Sequence, residues 1–325
     1  MSIDLSIIFV NWNSTAYLSE AIGSVYDNTT GLVLEVIVID NASPIRDVDT
    51  LKERFTDVVI VKSEENLGFA RANNLGFAYA RGRYLLLLNP DTKLIGPAIN
   101  VMMARIIALP DAGIVGARHV SPDMTVQTTS IQRFPSILNQ ILNIEYLRLR
   151  WPKLSLWRLG PLFSDATEPV RAEVIPGACM LMRREVFESA GMFTSAFFMY
   201  GEDVDLNFKI ARLGLKNYYI PNAVIIHYGG VSSRQHKSSE WATTMKFRAM
   251  NQYYTRNHGR TYAAAYRAAL GASAVVRLCV ILLLSPAGHL LRRGRSCCAA
   301  ALKWRAILLW ALGFQARALK NTGNH

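Results

Sequence analysis

The first 120 residues alternate short, almost unbroken apolar runs with stretches of helical period, and few folds accept that order. The runs are 5–10 (LSIIFV), 36–40 (VIVID), 58–61 (VVIV) and 84–88 (YLLLL). Between them, 14–28, 47–55 and 68–80 repeat apolar residues at helical spacing. Strands without polar alternation are covered on both faces, and strands joined by helical crossovers run parallel. The expected fold class is therefore α/β: a Rossmann-like, mostly parallel sheet with helices on both faces.

A further helix (98–109) and strand (113–117) lead into 119–173, which loses clear period and collects Pro, Ser and Trp, as a variable lobe does. Order resumes with a strand at 174–182, a helix from Arg184, an aromatic and acidic segment at 197–205, a helix to Gly214 and a last strand at 223–227. Four cysteines form no CxxC pair and no zinc spacing, which points to a reducing compartment without structural zinc. The opening Met1-Ser2-Ile3-Asp4 lacks the basic region of a signal peptide.

Charge divides the chain. Of its +12, residues 241–325 contribute thirteen Lys or Arg and no acid, whereas 1–240 hold 23 basic against 24 acidic side chains. The tail reads as helices at 241–257, 261–285 and 299–319. Window 268–286 approaches the length of a membrane span, but Arg277 sits within it and Arg292, Arg293 and Arg295 follow. Trp304 and Trp310 stand among Lys303, Arg305 and Arg317, the mixture of a helix lying at an interface. An anionic membrane surface is the expected partner; nucleic acid does not need this much Leu and Ile. A true span and ordinary core packing are the alternatives.

In parallel sheets ligands gather beyond the carboxyl ends of the strands, which singles out Asn11 and Asn13, Asp40 and Asn41, and Asn89 and Asp91. Asp91 suits a divalent cation bridged to a diphosphate, or the cap of a turn. Asp40 suits a ribose hydroxyl or base imide, or again a turn. Arg71 projects from the first turns of a helix opened by Gly68, where a guanidinium can face a base or phosphate. No GxGxxG or GxxxxGK[ST] pattern is present, which weighs against dinucleotide and P-loop readings. Glu202, Asp203 and Asp205 follow Tyr200-Gly201 at a helix start, placed to cap that helix or to act as general base under an aromatic wall. His227 leaves the last strand, either toward metal or phosphate or as a structural histidine.

Taken in order, Val10-Asn11-Trp12-Asn13, Val38 to Ser43, Asn66 to Phe69 with Asn73 and Gly76, Leu88 to Thr92, and Gly201 to Leu206 resemble family 2 glycosyltransferases, and within them the rhamnosyltransferase branch. The resemblance covers about residues 3–232. It implies a GT-A fold, a nucleotide-diphosphate sugar donor, a divalent cation (Mg2+ or Mn2+) and transfer with inversion. It implies a glycosyltransferase domain over 1–240, with a nucleotide half to about 118 and an acceptor half beyond it, followed by the basic helical region that charge and pattern mark over 241–325.

By position, Asn11, Asn13, Asp40, Asn41, Arg71, Asn89 and Asp91 would bind the nucleotide sugar, Asp91 and His227 the metal, and Tyr200, Glu202 and Asp205 the acceptor. Asp203 would be the catalytic base with Glu202 beside it. Asn89 stands where the DxD motif has its first acid, which removes one charge from the metal site. The implied reaction moves a sugar, L-rhamnose from dTDP-rhamnose by preference, to a glycan or polyprenyl-diphosphate-linked acceptor at the cytoplasmic membrane face. Galactosyl, galactofuranosyl or glucosyl transfer from UDP donors, and a non-catalytic scaffold, are the alternatives.

Overall fold

The computed structural model describes residues 2–142, 150–152, 160–163, 167–229, 239–290 and 294–314. Gly230, Arg292, Arg293, Arg317 and the end of the expected last helix lie outside the described residues, as do 143–149, 153–159 and 164–166 of the 119–173 lobe. The chain divides into two compact units, Met1–Phe134 with Glu145–Gln235, and Pro135–Ile144 with His236–His325.

In the first unit β1 (Leu5–Asn11), β2 (Leu34–Asp40), β3 (Val59–Lys62) and β4 (Tyr84–Leu88) lie in the order β3-β2-β1-β4, all parallel. Crossovers carry α1 (Thr15–Asn28), α2 (Leu51–Arg54) and α3 (Gly68–Tyr79). α2 is shorter than its sequence period suggests. Asp47 accepts from the Thr15 hydroxyl at 2.6 Å and its carbonyl takes the Thr50 amide, so the start tightens into a 3-10 turn. Beyond β4 come β5 (Thr92–Ile95), α4 (Ala98–Ala108), β6 (Ala112–Val120), α5 (Ile137–Ile141), β7 (Val170–Ala172), β8 (Cys179–Arg183), α6 (Arg184–Ser189), α7 (Glu202–Arg212) and β9 (Lys216–His227). Of these, α5 belongs to the second unit.

The full order is β3-β2-β1-β4-β8-β6-β9-β5, with β7 beside β9. β8 inserts antiparallel between β4 and β6. It begins only at Cys179, because Pro176 and Gly177 form a turn rather than strand. β9 is longer than the expected 223–227 and pairs parallel with β6 and antiparallel with β5.

The alternate residues of β1 explain why both faces need cover. Ile7 and Phe9 pack with Val36, Val38, Leu86, Leu18, Ile22, Ile99 and Met102. Ile8 lies on the opposite face, where a Cβ added to Gly76 of α3 would sit 2.5 Å from its Cγ2. Gly76 therefore lets α3 lie close on the sheet. Each such fully buried aliphatic side chain contributes about 1.5–3 kcal/mol.

The second unit contains α5, α8 (Ser239–Asn257), α9 (Arg260–Leu290) and α10 (Gly294–Ala311). Tyr254, Tyr266, Leu270, Ala274 and Ile307 form its interior. Arg277 lies 4.5 Å over the Trp304 ring and donates to the Ile141 carbonyl at 2.9 Å, which ties the 135–144 segment to these helices. Among the described residues one stretch, Arg260–Leu283, is long and apolar enough to cross a membrane. Val276, Leu282 and Leu283 on it are exposed.

Candidate active site

The carboxyl ends of β1 and β2 meet in register at Asn11 and Asp40. Asn11 is fully buried: its Nδ2 donates to Asp40 Oδ1 at 3.0 Å, and its Oδ1 accepts from the Ser14 amide and hydroxyl. Ser43 donates to the same Asp40 oxygen at 2.6 Å and receives the Asn13 amide. Two neutral donors thus fix one Asp40 oxygen. Asn13 takes the left-handed conformation (φ 51) and its Oδ1 accepts from the Ile45 amide.

Asn41 ties this edge to α3. Its Nδ2 donates to Asn66 Oδ1, and its Oδ1 accepts from the Leu67 amide at 2.8 Å. Gly68 (φ +73) then brings the backbone so close to the 198 segment that an added Cβ would lie 2.2 Å from the Phe198 carbonyl oxygen. That oxygen accepts from the Phe69 amide at 2.8 Å. Arg71 is half exposed and pairs with Glu65 at 3.0 Å.

Asp91 follows β4 after the turn in which Thr92 donates to the Asn89 carbonyl. Thr92 stands opposite His227 in the β5–β9 ladder, which places Asp91 Oδ1 3.6 Å from His227 Nε2. Gln127 grips His227 twice: its Nε2 donates to the His227 carbonyl at 2.7 Å, so its Oε1 faces Nδ1 at 3.1 Å. That arrangement puts the ring proton on Nδ1 and leaves the Nε2 lone pair toward Asp91. Burial also lowers the His227 pKa, against the pull of the Asp91 charge.

Two acceptors facing across 3.6 Å fit a divalent cation between them. No cluster of three or more His, Cys, Asp or Glu able to hold a metal occurs among the described residues, so oxygens of substrate or water would complete the shell. His119 lies edge-on to His227 at 5.5 Å; its Nε2 is buried without a partner, and burial drives its pKa down to about 3.

Tyr200 (φ 68) and Gly201 (φ 79) are both left-handed and turn the chain into α7. For a tyrosine that conformation stores roughly 1–3 kcal/mol. Glu202 is 6% exposed and its Oε2 has no hydrogen-bond partner. Burial first, and the neighbouring Asp203 charge second, push its pKa up to about 8. Burial raises Asp203 too, but amides oppose it: Val204 donates to Oδ1 at 2.8 Å and Gly177 to Oδ2 at 3.2 Å. Burial thus raises both carboxyls, and the two amides favour the charged form on Asp203, so of the pair Glu202 holds its proton the more firmly.

Asp205 is 1% exposed, accepts from Thr194 at 2.6 Å and faces Lys209 at 3.4 Å, so its carboxylate is engaged within the fold. Asn207, one turn after Asp203, was not singled out from sequence. It donates to the Ile175 and Asp203 carbonyls and accepts from the Ile175 amide and Asn217. This lock holds α7 against the segment that presents Gly177. Gln127 and His119 were likewise missed, each a polar residue among apolar neighbours, whereas Ser43 and Asn66 stood in the quoted motifs without a role of their own.

The profile of glycosyl transferase family 2 matches residues 6–191. The N-acetylglucosaminyl-diphospho-decaprenol L-rhamnosyltransferase of Mycobacterium tuberculosis is 25% identical over 255 residues, 74% of this chain and 81% of its own. The rhamnosyltransferase WbbL of Escherichia coli is 24% identical over 192 residues, 56% of this chain and 69% of its own. In structure, the mannosyltransferase PcManGT of Pyrobaculum calidifontis, solved with GDP-Man and Mn2+, superposes with a TM-score of 0.58 at 17% identity, covering 97% of this chain and 87% of that one.

Proposed function

The chain belongs to glycosyl transferase family 2, and from that premise we propose that it is an inverting, metal-dependent hexosyltransferase. Its donor is a nucleotide-diphosphate sugar, dTDP-L-rhamnose by preference, and its acceptor a glycan or polyprenyl-diphosphate-linked glycan. The observation that supports the reading is the Glu202–Asp203 pair, a buried acid with a raised pKa beside a carboxyl whose two oxygens each accept from a backbone amide.

Asp203 takes the proton of the acceptor hydroxyl as that oxygen attacks the anomeric carbon from the face opposite the leaving diphosphate. Glu202, protonated, keeps a second negative charge away from that base. Tyr200, at the same turn, walls the acceptor. Asp40, oriented by Asn11 and Ser43, receives a donor hydroxyl or imide, with Asn13 and Asn41 shaping that edge. Asp91 and His227, with Asn89 nearby, would hold Mg2+ or Mn2+, which when bound neutralises charge on the departing diphosphate. Arg71 would leave Glu65 for a phosphate or base. The similarity to two rhamnosyltransferases supports the sugar preference.

The basic helices of the tail, with exposed Leu282, Leu283 and Phe314, support peripheral attachment at the cytoplasmic membrane face, where a lipid-linked acceptor lies. The test is calorimetry of dTDP, UDP and GDP with the full chain, with and without Mn2+ or Mg2+, followed by transfer assays with the preferred donor. Metal-dependent preference for dTDP is expected. Preference for UDP would move the donor to galactosyl or glucosyl chemistry, and no binding to folded protein would favour a scaffold.

A further inference from the structure

Within the helical unit, α8, α9 and the end of α10 border an open-sided cavity of about 230 Å³ lined by Arg248, Asn251, Arg267, Trp310, Gly313 and Phe314. Pockets that hold whole drug-sized ligands run to roughly 300–1,000 Å³, so this one suits a head group rather than a nucleotide sugar. Its chemistry is cationic and aromatic. Arg248 and Asn251 are three residues apart on α8 and share a face.

Arg248 is only partly exposed, and among the described residues no carboxylate pairs with it. The unit's sequence contains a single acid, Glu240, eight residues earlier on the same helix and so about 12 Å along its axis. A guanidinium withdrawn from water without a counter-charge is costly, and an anion in the cavity removes that cost. Asn251 Oδ1 is buried without a hydrogen-bond partner. Turning the amide presents an N–H instead, which a phosphate oxygen accepts.

The end of α10 does not cancel this field. Its last carbonyls are already answered: Trp310 O accepts from the Gly313 amide at 3.0 Å and from Arg267 Nη2 at 3.3 Å, and Arg267 also reaches Ala311 O at 3.1 Å. The Arg267 guanidinium stacks 5.4 Å from the Trp310 ring centroid, which holds its plane at the cavity wall. Phe314 lines the same cavity and is 65% exposed, with Leu312 beside it at 63%. Cations inside and apolar surface at the mouth match an anion that carries a hydrocarbon chain.

We propose that this cavity is a binding site for the phosphate of a membrane lipid, with Arg248 and Arg267 on the phosphate and Trp310 and Phe314 on the first carbons of the lipid. The proposal extends the proposed membrane attachment of the tail and is independent of donor and acceptor.

The test uses the full chain and soluble short-chain phosphatidylglycerol below its micelle concentration, read by calorimetry and tryptophan fluorescence. Inorganic phosphate is the second arm, and vesicles of phosphatidylglycerol or phosphatidylcholine the third. Saturable binding of the monomeric lipid is expected, with at least tenfold loss in Arg248→Gln and about twofold or less in Arg305→Gln, an exposed cation outside the cavity. Unfolding midpoints within about 2 °C exclude a folding defect in either variant.

Equal losses in both variants, or none in Arg248→Gln, would overturn the site. Inorganic phosphate binding as tightly as the lipid would overturn the lipid assignment. Failure of vesicle binding with monomer binding intact would sink membrane attachment while leaving the cavity site standing.

Discussion

Glu202→Gln tests the acid pair through stability alone, without a substrate. Folding lifts the Glu202 pKa from 4.5 to about 8. Across that interval the folded chain keeps a proton the unfolded chain has lost, so stability falls as pH rises and levels off above the folded value. At about 1.4 kcal/mol per unit, the carboxyl costs about 1 kcal/mol at pH ~5 and at most about 4 kcal/mol at pH ~7.5. Glutamine keeps the shape and cannot ionise. Asp203 meets a neutral neighbour in both proteins over this range, and every other titration is common to the two. His119, buried neutral, has the opposite sign: its folded pKa lies below its unfolded one, so its contribution is lost on acidification. The difference between variant and parent cancels it. Urea unfolding at both pH values is expected to show the variant gaining about 3 kcal/mol on the parent between them. Parallel pH profiles would refute the neutral, buried Glu202.

Asp203→Asn is expected to lower turnover about 10²–10⁴-fold while nucleotide affinity stays within about twofold, as for loss of a general base; transfer near the parent rate would remove Asp203 from that role. Gln127→Leu frees both ends of His227, so Mn2+ affinity measured by electron paramagnetic resonance without donor should weaken about 10–100-fold. Unchanged affinity would mean that Gln127 does not set the imidazole. Gly68→Ala puts a side chain at φ +73 against the Phe198 carbonyl. Backbone strain of about 1–2 kcal/mol plus a displaced hydrogen bond predicts a loss of about 2–3 kcal/mol, read from the urea midpoint.

The parallel half of the sheet was legible because a strand covered on both faces writes its burial directly into an unbroken apolar run. Its direction is not written there, so the antiparallel insertion of β8 appears only once Leu86 is seen against Leu181. Strand-end residues were legible by position, which brought out Asp40 and Asp91, whereas Asp203 stood out through the acidic start of a helix. Asp205 looked equivalent to Asp203, yet two residues on a helix turn a side chain by about 200°, and it faces Lys209. Gln127 reaches His227 across a separation of 100 residues, and no local pattern encodes that contact. The tail's charge was plain; its cavity depends on how three helices meet.

The ladder that sets Thr92 against His227 has a consequence for turnover. Zinc fingers draw their ligands from loops that gather only around the ion, and a chelator unfolds them. Here Asp91 immediately precedes β5 and His227 ends β9, so their spacing is set by the backbone pairing of those two strands. An ion held between them would come and go with the diphosphate, a passenger on a rigid frame. Chelation should therefore leave this chain folded, ready to reload without rebuilding anything.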